Sequence, residues 1–149
     1  MAHGSDHEAV PPLKPPTDTV RRAMRAQRTR DTQPELALRR ELFRRRLRYR
    51  LHRRPLPGLR RTIDIVFPGP RVAVDVRGCF WHGCTRCKTI PKSNEFWWSQ
   101  KIAKNRARDQ ETERTLRDAG WRVIIVWEHE NFSDAAALIE SEVRPGPPR

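Results

Sequence analysis

The sequence predicts an α/β sandwich around a small mixed β-sheet. Three features support this fold class: a capping-box signal that opens a first helix, two β-branched segments joined by a tight turn, and a later helix, strand and helix in that order. With 149 residues, of which 36% are hydrophobic, the chain can form one modest core but not two. We therefore expect a single domain.

The first helix is predicted to run from Thr32 to about Leu47. Thr32 and Glu35 have capping-box spacing, and Pro34 suits the first helical turn. Its buried stripe is expected to consist of apolar residues at helical spacing, namely Leu36, Leu38, Leu42, Phe43 and Leu47. Residues 48–51 are expected to form a strand beside the hairpin that follows.

Residues 62–67 and 71–76 are predicted to form a hairpin, because both are rich in β-branched residues and a Pro-Gly-Pro turn separates them. If the turn is a four-residue loop, the register places Asp64 opposite Asp75 on one face of the sheet. A helix, a strand and a last helix are predicted after the hairpin. A helix from Glu95 to about Ala119 is predicted to end at a Gly120 cap.

The apolar run 121–127 is typical of a strand buried on both faces, and a last helix is expected at about residues 133–142. Residues 1–18 and 144–149 hold seven of the 13 prolines and few apolar residues, so we expect disordered tails around a domain at 19–143. The chain has no run of about 18 apolar residues, so no membrane span is expected.

Positive charge is concentrated near the N-terminus. Lys and Arg exceed Asp and Glu by 31 to 18, and residues 21–54 alone hold 14 arginines against three acidic residues. Because a guanidinium group can donate two parallel hydrogen bonds to one phosphate, this segment favours a nucleic-acid partner over a merely solvated helix face. Arg25, Arg28 and Arg30 are expected to contact phosphates without reading bases.

Asp64 and Asp75 interrupt runs of Ile and Val, although Asp is disfavoured in strands and is rarely buried without a partner. Two carboxylates side by side repel unless a cation lies between them. Mg²⁺ suits such a pair, since it binds through one or two carboxylates, water and phosphate oxygens. Arg77 is expected on the same face. The alternative is that each aspartate simply pairs with an arginine.

Cys79, Cys84 and Cys87 lie within nine residues, and their odd number argues against a secreted disulfide framework. Three thiolates at this spacing predict a tetrahedral Zn²⁺ site that needs a fourth ligand. His82, inside the cluster, and His129, after the apolar run, are both candidates.

Aromatic residues crowd around the same cysteines. Five of the 11 fall within nineteen residues, namely Phe80, Trp81, Phe96, Trp97 and Trp98. They fit either a packed core or a wedge that enters DNA between bases.

The run Gly78-Cys79-Phe80-Trp81-His82-Gly83-Cys84 resembles the central motif of the very short patch repair (Vsr) endonucleases. Further matching segments lie within about residues 21–128, among them Phe96-Trp97-Trp98, Arg108-Asp109 and Trp127-Glu128. The resemblance implies a restriction-endonuclease-like, PD-(D/E)xK-type three-layer sandwich with a Mg²⁺ site and a separate structural zinc site. It implies nicking of double-stranded DNA on the 5′ side of the thymine in a T·G mismatch, which arises when 5-methylcytosine deaminates.

The resemblance also implies roles for individual residues. Asp64 and the backbone carbonyl of Val76 would hold Mg²⁺, and His82 would act as the general base on the attacking water. Glu35 would support the site from the first helix. His129, and not His82, would complete the zinc site.

DNA contacts are implied for two further groups of residues. Phe80, Trp81 and Trp98 would lie beside the mismatch, while Lys101 and Asn105 would contact the mismatched bases from one helix face. A monomeric cytoplasmic enzyme of the bacterial nucleoid, acting with other mismatch-repair proteins, is expected from the same resemblance.

The sequence departs from the family near the proposed metal. Arg77 stands where the best-known member has a histidine, Asp75 where it has a non-acidic residue, and Ile63 where proline is usual; the loop at residues 56–62 also looks longer. Asp75-x-Arg77 is closer to the acidic-x-Lys pattern of restriction nucleases. We therefore expect Asp75 to add a metal oxygen and Arg77 to hold the scissile phosphate.

Two other functions fit part of the sequence. A restriction-type endonuclease that cuts intact sites would use the same carboxylates. A non-catalytic zinc DNA-binding module would account for the charge and the cysteines, but it would leave Asp64 and Asp75 unexplained.

Overall fold

The computed structural model describes residues 17–19, 21–22, 30–87 and 90–146, so the predicted tails lie largely outside the described residues. The elements follow the predicted order: α1 (Gln33–Arg44), β1 (Arg50–Arg53), β2 (Ile63–Phe67), β3 (Val72–Arg77), α2 (Glu95–Asp118), β4 (Arg122–Trp127) and α3 (Phe132–Val143). None of the helices in this part of the chain is long and apolar enough to cross a membrane.

The four strands form one mixed sheet in the order β1-β2-β3-β4. The first three strands are antiparallel neighbours, whereas β4 runs parallel to β3 because the long helix α2 carries the chain back across the sheet. Phe67 pairs with Val72, as predicted for the four-residue turn. One step beyond the Ile65 and Val74 pair, the same register sets Asp64 across from Asp75.

Helices cover both faces of the sheet, which confirms the predicted α/β sandwich. One apolar cluster joins α1 and α3 to one face and contains Leu38, Leu42, Ile65, Phe67, Val74, Val126, Ala136 and Ile139. A smaller cluster lies on the opposite face against α2 and contains Ile63, Val66, Ala73 and Leu116. Alternation along β3 follows from the pleat, since successive side chains point to opposite faces.

The buried face of α1 differs from the prediction at three residues: Leu36 is only half-buried, Phe43 is exposed and Glu35 is buried. Phe43 is 76% exposed, whereas Glu35 is 1% exposed. Glu35, Leu38 and Leu42 follow the helical repeat and define the inward face, and Phe43 is turned about 100° away from Leu42. The helix also ends earlier than predicted, at Arg44, although Leu47 remains buried just beyond it.

The strand β4 was predicted to be buried on both faces, and it is covered on both only in part: Val123 packs against the cluster on the α2 face and Ile124 against the cluster on the other face, and both are half-buried. β4 lies at an edge of the sheet with β3 as its neighbour, and Val126 is its buried residue. The predicted cap before β4 is confirmed: Gly120 has a φ of +86°, and the Trp121 N–H donates to the Leu116 carbonyl at 3.0 Å.

Candidate active site and metal centre

A groove of about 700 Å³ opens at the ends of β2 and β3 that lie away from their turn. Its walls bring together acidic, imidazole and guanidinium side chains. The charged and imidazole residues that line it are Asp64, Asp75, Asp109, Glu128, His82, Arg30, Arg54, Arg60 and Arg61. Sequence reasoning singled out Asp64, Asp75, His82 and Arg30 from this set. The groove is therefore the candidate active site.

The backbone of β3 holds the Asp64 side chain where β2 and β3 end, away from their turn. The Val76 N–H donates to Asp64 Oδ2 at 2.8 Å. Burial, and then the charge of Asp75, raises the pKa of Asp64 to about 8. A divalent cation between the two carboxylates would remove this repulsion, so the residues present fit a Mg²⁺ site of the predicted composition.

Arg77 shares the face of Asp75, as predicted, and its guanidinium binds carboxylates inside the protein. Arg77 Nε donates to Asp75 Oδ2 at 3.0 Å, and Nη2 donates to Glu113 Oε1 at 2.7 Å. The residue is 7% exposed and its guanidinium carbon lies 5.9 Å from the centre of the Trp127 ring. Asp75 is thus tied to α2 through one buried arginine.

His82 lies within hydrogen-bonding distance of a carboxylate, a contact that sequence reasoning missed. Its Nδ1 atom lies 2.7 Å from Asp109 Oδ2, and Arg61 Nη1 donates to Asp109 Oδ1 at 3.0 Å. Burial disfavours the charged form of Asp109, but the hydrogen bond and charge of His82, with Arg77 and Arg61, outweigh it and lower the pKa of Asp109. Since Nδ1 is committed to Asp109, Nε2 is the ring atom that can take a proton.

Asp109 was given no role, although Arg108-Asp109 is one of the segments that resemble the family, because spacing alone distinguishes none of the many charged residues of α2. Its signal was its burial, since Asp109 is 3% exposed. An aspartate at such a position requires a cationic partner within reach. Only the folded chain shows that its partners are Arg61 and His82.

Glu35 lies in a second polar cluster, close enough for its charge to act on Asp64. Its Oε2 accepts the Asp31 N–H at 3.1 Å, and its Oε1 lies 3.1 Å from His52 Nε2. Arg39 Nη1 lies 2.6 Å from Asp31 Oδ1 and 3.5 Å from Glu35 Oε1. The guanidinium group of Arg39 therefore offsets part of the negative charge of this cluster, and His52 had no predicted role.

The cysteine cluster is completed by His129, whose Nδ1 lies 3.1 Å from Cys79 Sγ, 3.7 Å from Cys84 Sγ and 3.5 Å from Cys87 Sγ. The four ligand atoms all lie within 4.8 Å of one another, so the group could hold a metal ion. Burial, and then the Cys87 thiol, raises the pKa of Cys79 to about 12. A bound cation would be needed to hold Cys79 as a thiolate, and the donor set fits Zn²⁺.

The loop that carries His82 is pressed against α2. A Cβ on Gly83 would lie 2.7 Å from Ile102 Cγ2, and Gly83 also has a φ of +65°, so a side chain there would clash and strain the backbone. Asn105 Nδ2 donates to the Trp81 carbonyl at 2.9 Å. The loop is thus positioned by two contacts with α2.

Three predicted DNA-contacting aromatic residues pack on one another. Ring centres lie 5.0 Å apart for Phe80 and Trp81, 5.3 Å for Phe80 and Trp98, and 5.8 Å for Trp81 and Trp98. Trp98 is 7% exposed, whereas Phe80 and Trp81 are half-buried. Lys101 is half-buried on the same helix. Trp98 is therefore buried within this aromatic group, and Phe80 and Trp81 are partly exposed at its surface.

The predicted phosphate-contacting residues are placed only in part. Arg25 and Arg28 lie outside the described residues, whereas Arg30 lines the groove. Arg54, Arg60 and Arg61 line it as well. None of these three was singled out from the sequence: Arg54 is one of 14 arginines in residues 21–54, and Arg60 and Arg61 lie in the loop that follows, where no pattern distinguishes them.

Comparison with known proteins agrees with this geometry. A family model described as DNA mismatch endonuclease Vsr matches residues 16–88, a span that contains Asp64, Asp75, His82 and the three cysteines. The chain is 50% identical over 117 residues to type II nicking enzyme V.XorIIP of Xanthomonas oryzae pv. oryzae, covering 77% of this chain and 82% of that protein. The chain belongs to the Vsr family.

Two other similar proteins carry the names of a nicking enzyme and of a mismatch endonuclease. This Vsr-family chain is 44% identical over 120 residues to type II nicking enzyme V.NaeI of Lentzea aerocolonigenes, covering 79% of this chain and 72% of that protein. It is 39% identical over 107 residues to DNA mismatch endonuclease Vsr of Escherichia coli K12, covering 70% and 66%. The chain is therefore a DNA endonuclease, a hydrolase of the phosphodiester backbone.

Proposed function

We propose that this Vsr-family endonuclease nicks duplex DNA on the 5′ side of the thymine in a T·G mismatch, by Mg²⁺-dependent hydrolysis. The observation that carries the proposal is the shared groove, in which the carboxylates Asp64 and Asp75 lie with the His82 and Asp109 pair. Hydrolysis of a phosphodiester needs both a cation site for the phosphate and a base for the water.

Asp64, Asp75 and the Val76 carbonyl are the proposed Mg²⁺ ligands. When bound, Mg²⁺ would supply positive charge to the phosphate oxygens as the water attacks. The Val76 N–H fixes the orientation of the Asp64 carboxylate before any ligand arrives. Glu35 accepts the Asp31 N–H and, from α1, adds negative charge near Asp64, which would favour a bound cation.

His82 is the proposed general base. Its Nε2 takes the proton of the attacking water, and Asp109 stabilises the imidazolium that results and keeps the ring in one orientation. Arg61 holds the other oxygen of Asp109, so the carboxylate cannot rotate freely. The contact with Asp109 therefore holds the His82 ring so that Nε2 is the nitrogen that accepts the proton.

Arg77 is proposed to act through Asp75. Its Nε and Nη2 atoms bind Asp75 and Glu113, which keeps Asp75 beside Asp64 in spite of their repulsion. For Arg77 to hold the scissile phosphate, as its sequence position suggested, one of these two ion pairs would have to open.

Mismatch recognition is assigned to the packed aromatic group and the neighbouring helix face. Phe80 and Trp81 present their partly open side beside Trp98, where a base could stack. Lys101 and Asn105 are proposed to contact the mismatched bases. The Cys79–Cys84–Cys87–His129 cluster is proposed to hold Zn²⁺ with all four positions filled, so that it stabilises this loop and takes no part in hydrolysis.

The test is a nicking assay on a labelled T·G duplex and its T·A counterpart, each with Mg²⁺ or with EDTA. We expect the wild type to nick the thymine strand of the T·G duplex when Mg²⁺ is present and not in EDTA. We expect Asp64→Asn to bind this duplex without nicking it. Equal cleavage of both duplexes would indicate a restriction-type endonuclease. Binding without cleavage by the wild type under every condition would indicate a non-catalytic module.

A further inference from the structure

The loop between β1 and β2 is anchored from beneath by apolar side chains. Leu56 and Leu59 pack against the cluster that contains Ile63 and Leu116, and the Leu59 N–H donates to the Leu56 carbonyl at 3.3 Å. Gly58, with a φ of +84°, makes the turn between them. The loop is thus a fixed platform, and its polar side chains project from a held backbone.

This platform places three arginines on the wall of the active-site groove, and they differ in their partners. Arg61 is bound to Asp109 at 3.0 Å. Arg54 and Arg60 are exposed, and within the described residues neither makes an ion pair or a side-chain hydrogen bond. Two uncommitted guanidinium groups therefore share a groove with Asp64, Asp75, Asp109 and Glu128.

We infer that Arg54 and Arg60 form a phosphate-binding site that holds the DNA backbone next to the scissile bond, an inference that rests on the proposed function. Any strand that brings a phosphodiester to Asp64 carries neighbouring phosphates along the same groove. A guanidinium group binds such a phosphate through two parallel N–H donors. Arg30, which lines the groove as well, can extend the site along the strand.

The site differs from the proposed mismatch-reading surface in what it contributes. Phosphate contacts add affinity on every sequence, and each one releases counterions, so that binding weakens with salt by about 0.9 in log K per log unit of salt concentration. Arg54 and Arg60 should therefore act on matched and mismatched DNA alike. They should raise affinity and should not select the base.

The experiment compares Arg54→Gln/Arg60→Gln with the matched double variant Arg71→Gln/Arg114→Gln. Arg71 and Arg114 are also exposed arginines, but they do not line the groove. Binding to T·G and T·A duplexes is measured in EDTA over a series of salt concentrations, and nicking is measured with Mg²⁺. We expect the groove variant to flatten the salt slope by about 1.8, to weaken both duplexes equally and to raise KM with kcat retained.

The control variant should keep the wild-type slope, since the same charge is removed elsewhere. A groove variant with the wild-type slope would overturn the phosphate site, whether or not the wild type nicks T·G DNA. A groove variant that loses T·G preference selectively would also overturn it, because the two arginines would then read bases. If the wild type fails to nick but the slope still flattens, the phosphate site stands and the proposed reaction fails.

Discussion

The Asp64 and Asp75 pair in the active-site groove and the Cys79–Cys84–Cys87–His129 cluster are two candidate metal centres built in opposite ways. The groove takes Asp64 and Asp75 from paired strands and leaves their oxygens beside open space. The cluster takes three thiols from a loop and one imidazole from beyond β4, and it encloses the point between them. An open oxygen site suits a reaction, whereas a closed sulfur site suits the stabilisation of a loop.

The parallel pairing of β3 with β4 connects the two centres. Arg77 pairs with Trp127, and the Glu128 N–H donates to the Arg77 carbonyl at 3.0 Å. The chain just beyond each strand therefore runs side by side, which brings His129 to Cys79. The Cys79 N–H donates to Glu128 Oε1 at 2.7 Å and secures this junction. The C-terminal end of β3 thus lines the groove, and the residues that follow it lead into the cysteine cluster.

The largest expected effect is on the fold, from Cys84→Ala. Metal binding to a structural site contributes to folding, by about 10 kcal/mol or more in zinc-finger peptides, which is comparable to the whole stability of a domain. We expect loss of the bound metal and a large fall in the melting temperature, measured by metal analysis and thermal denaturation. Thr85→Ala, next to it and exposed, should change neither.

The same measurement tests the assignment of the histidines. His129→Ala should lose the metal and His82→Ala should retain it. If His82→Ala lost the metal and His129→Ala kept it, the two histidines would exchange roles, and the contrast between the two centres would have to be redrawn.

The next effect is on catalysis, from His82→Ala. A general base contributes about 10²- to 10⁴-fold to a rate, so single-turnover nicking of the T·G duplex should fall by that factor. DNA affinity should stay near the wild-type value, because His82 is assigned to proton transfer, whereas thermal stability should fall, because buried Asp109 loses one of its partners. A wild-type rate in this variant would exclude His82 as the base.

A smaller loss is expected from Asp109→Asn. The amide keeps the shape of the side chain but removes the charge that stabilises the imidazolium, so nicking should fall by about 10- to 10²-fold, below the effect of His82→Ala. In a His82→Ala background, Asp109→Asn should have little further effect on the rate, since the two act as one unit. Independent, multiplying losses would contradict the proposed pair.

The smallest effect is expected from Asn105→Ala. Asn105 is proposed to contact a mismatched base, and one hydrogen bond is worth about 1 kcal/mol, so its loss should reduce the preference for T·G over T·A DNA by about fivefold. The salt dependence of binding should be unchanged. Competition binding between the two duplexes measures this preference, and an unaltered ratio would remove Asn105 from mismatch recognition.

The sequence by itself determined the features that depend on neighbours along one element. The helix start at Thr32, the hairpin register that sets Asp64 across from Asp75, the close spacing of the cysteines and the cap at Gly120 all follow from local spacing, because a helix or a hairpin fixes the positions of residues a few steps apart. The family resemblance carried His82, His129 and Glu35 as expectations.

Only the tertiary structure decided which distant side chains meet. His82 and Asp109 are 27 residues apart, and Arg77 and Glu113 are 36 apart, so no repeat in the sequence relates them. The exposure of Phe43 and the partial burial of β4 also differ from the predictions, because burial depends on how fully a layer covers a face and not only on how apolar the segment is. Spacing describes one element at a time, and contacts between elements arise only when the layers pack together.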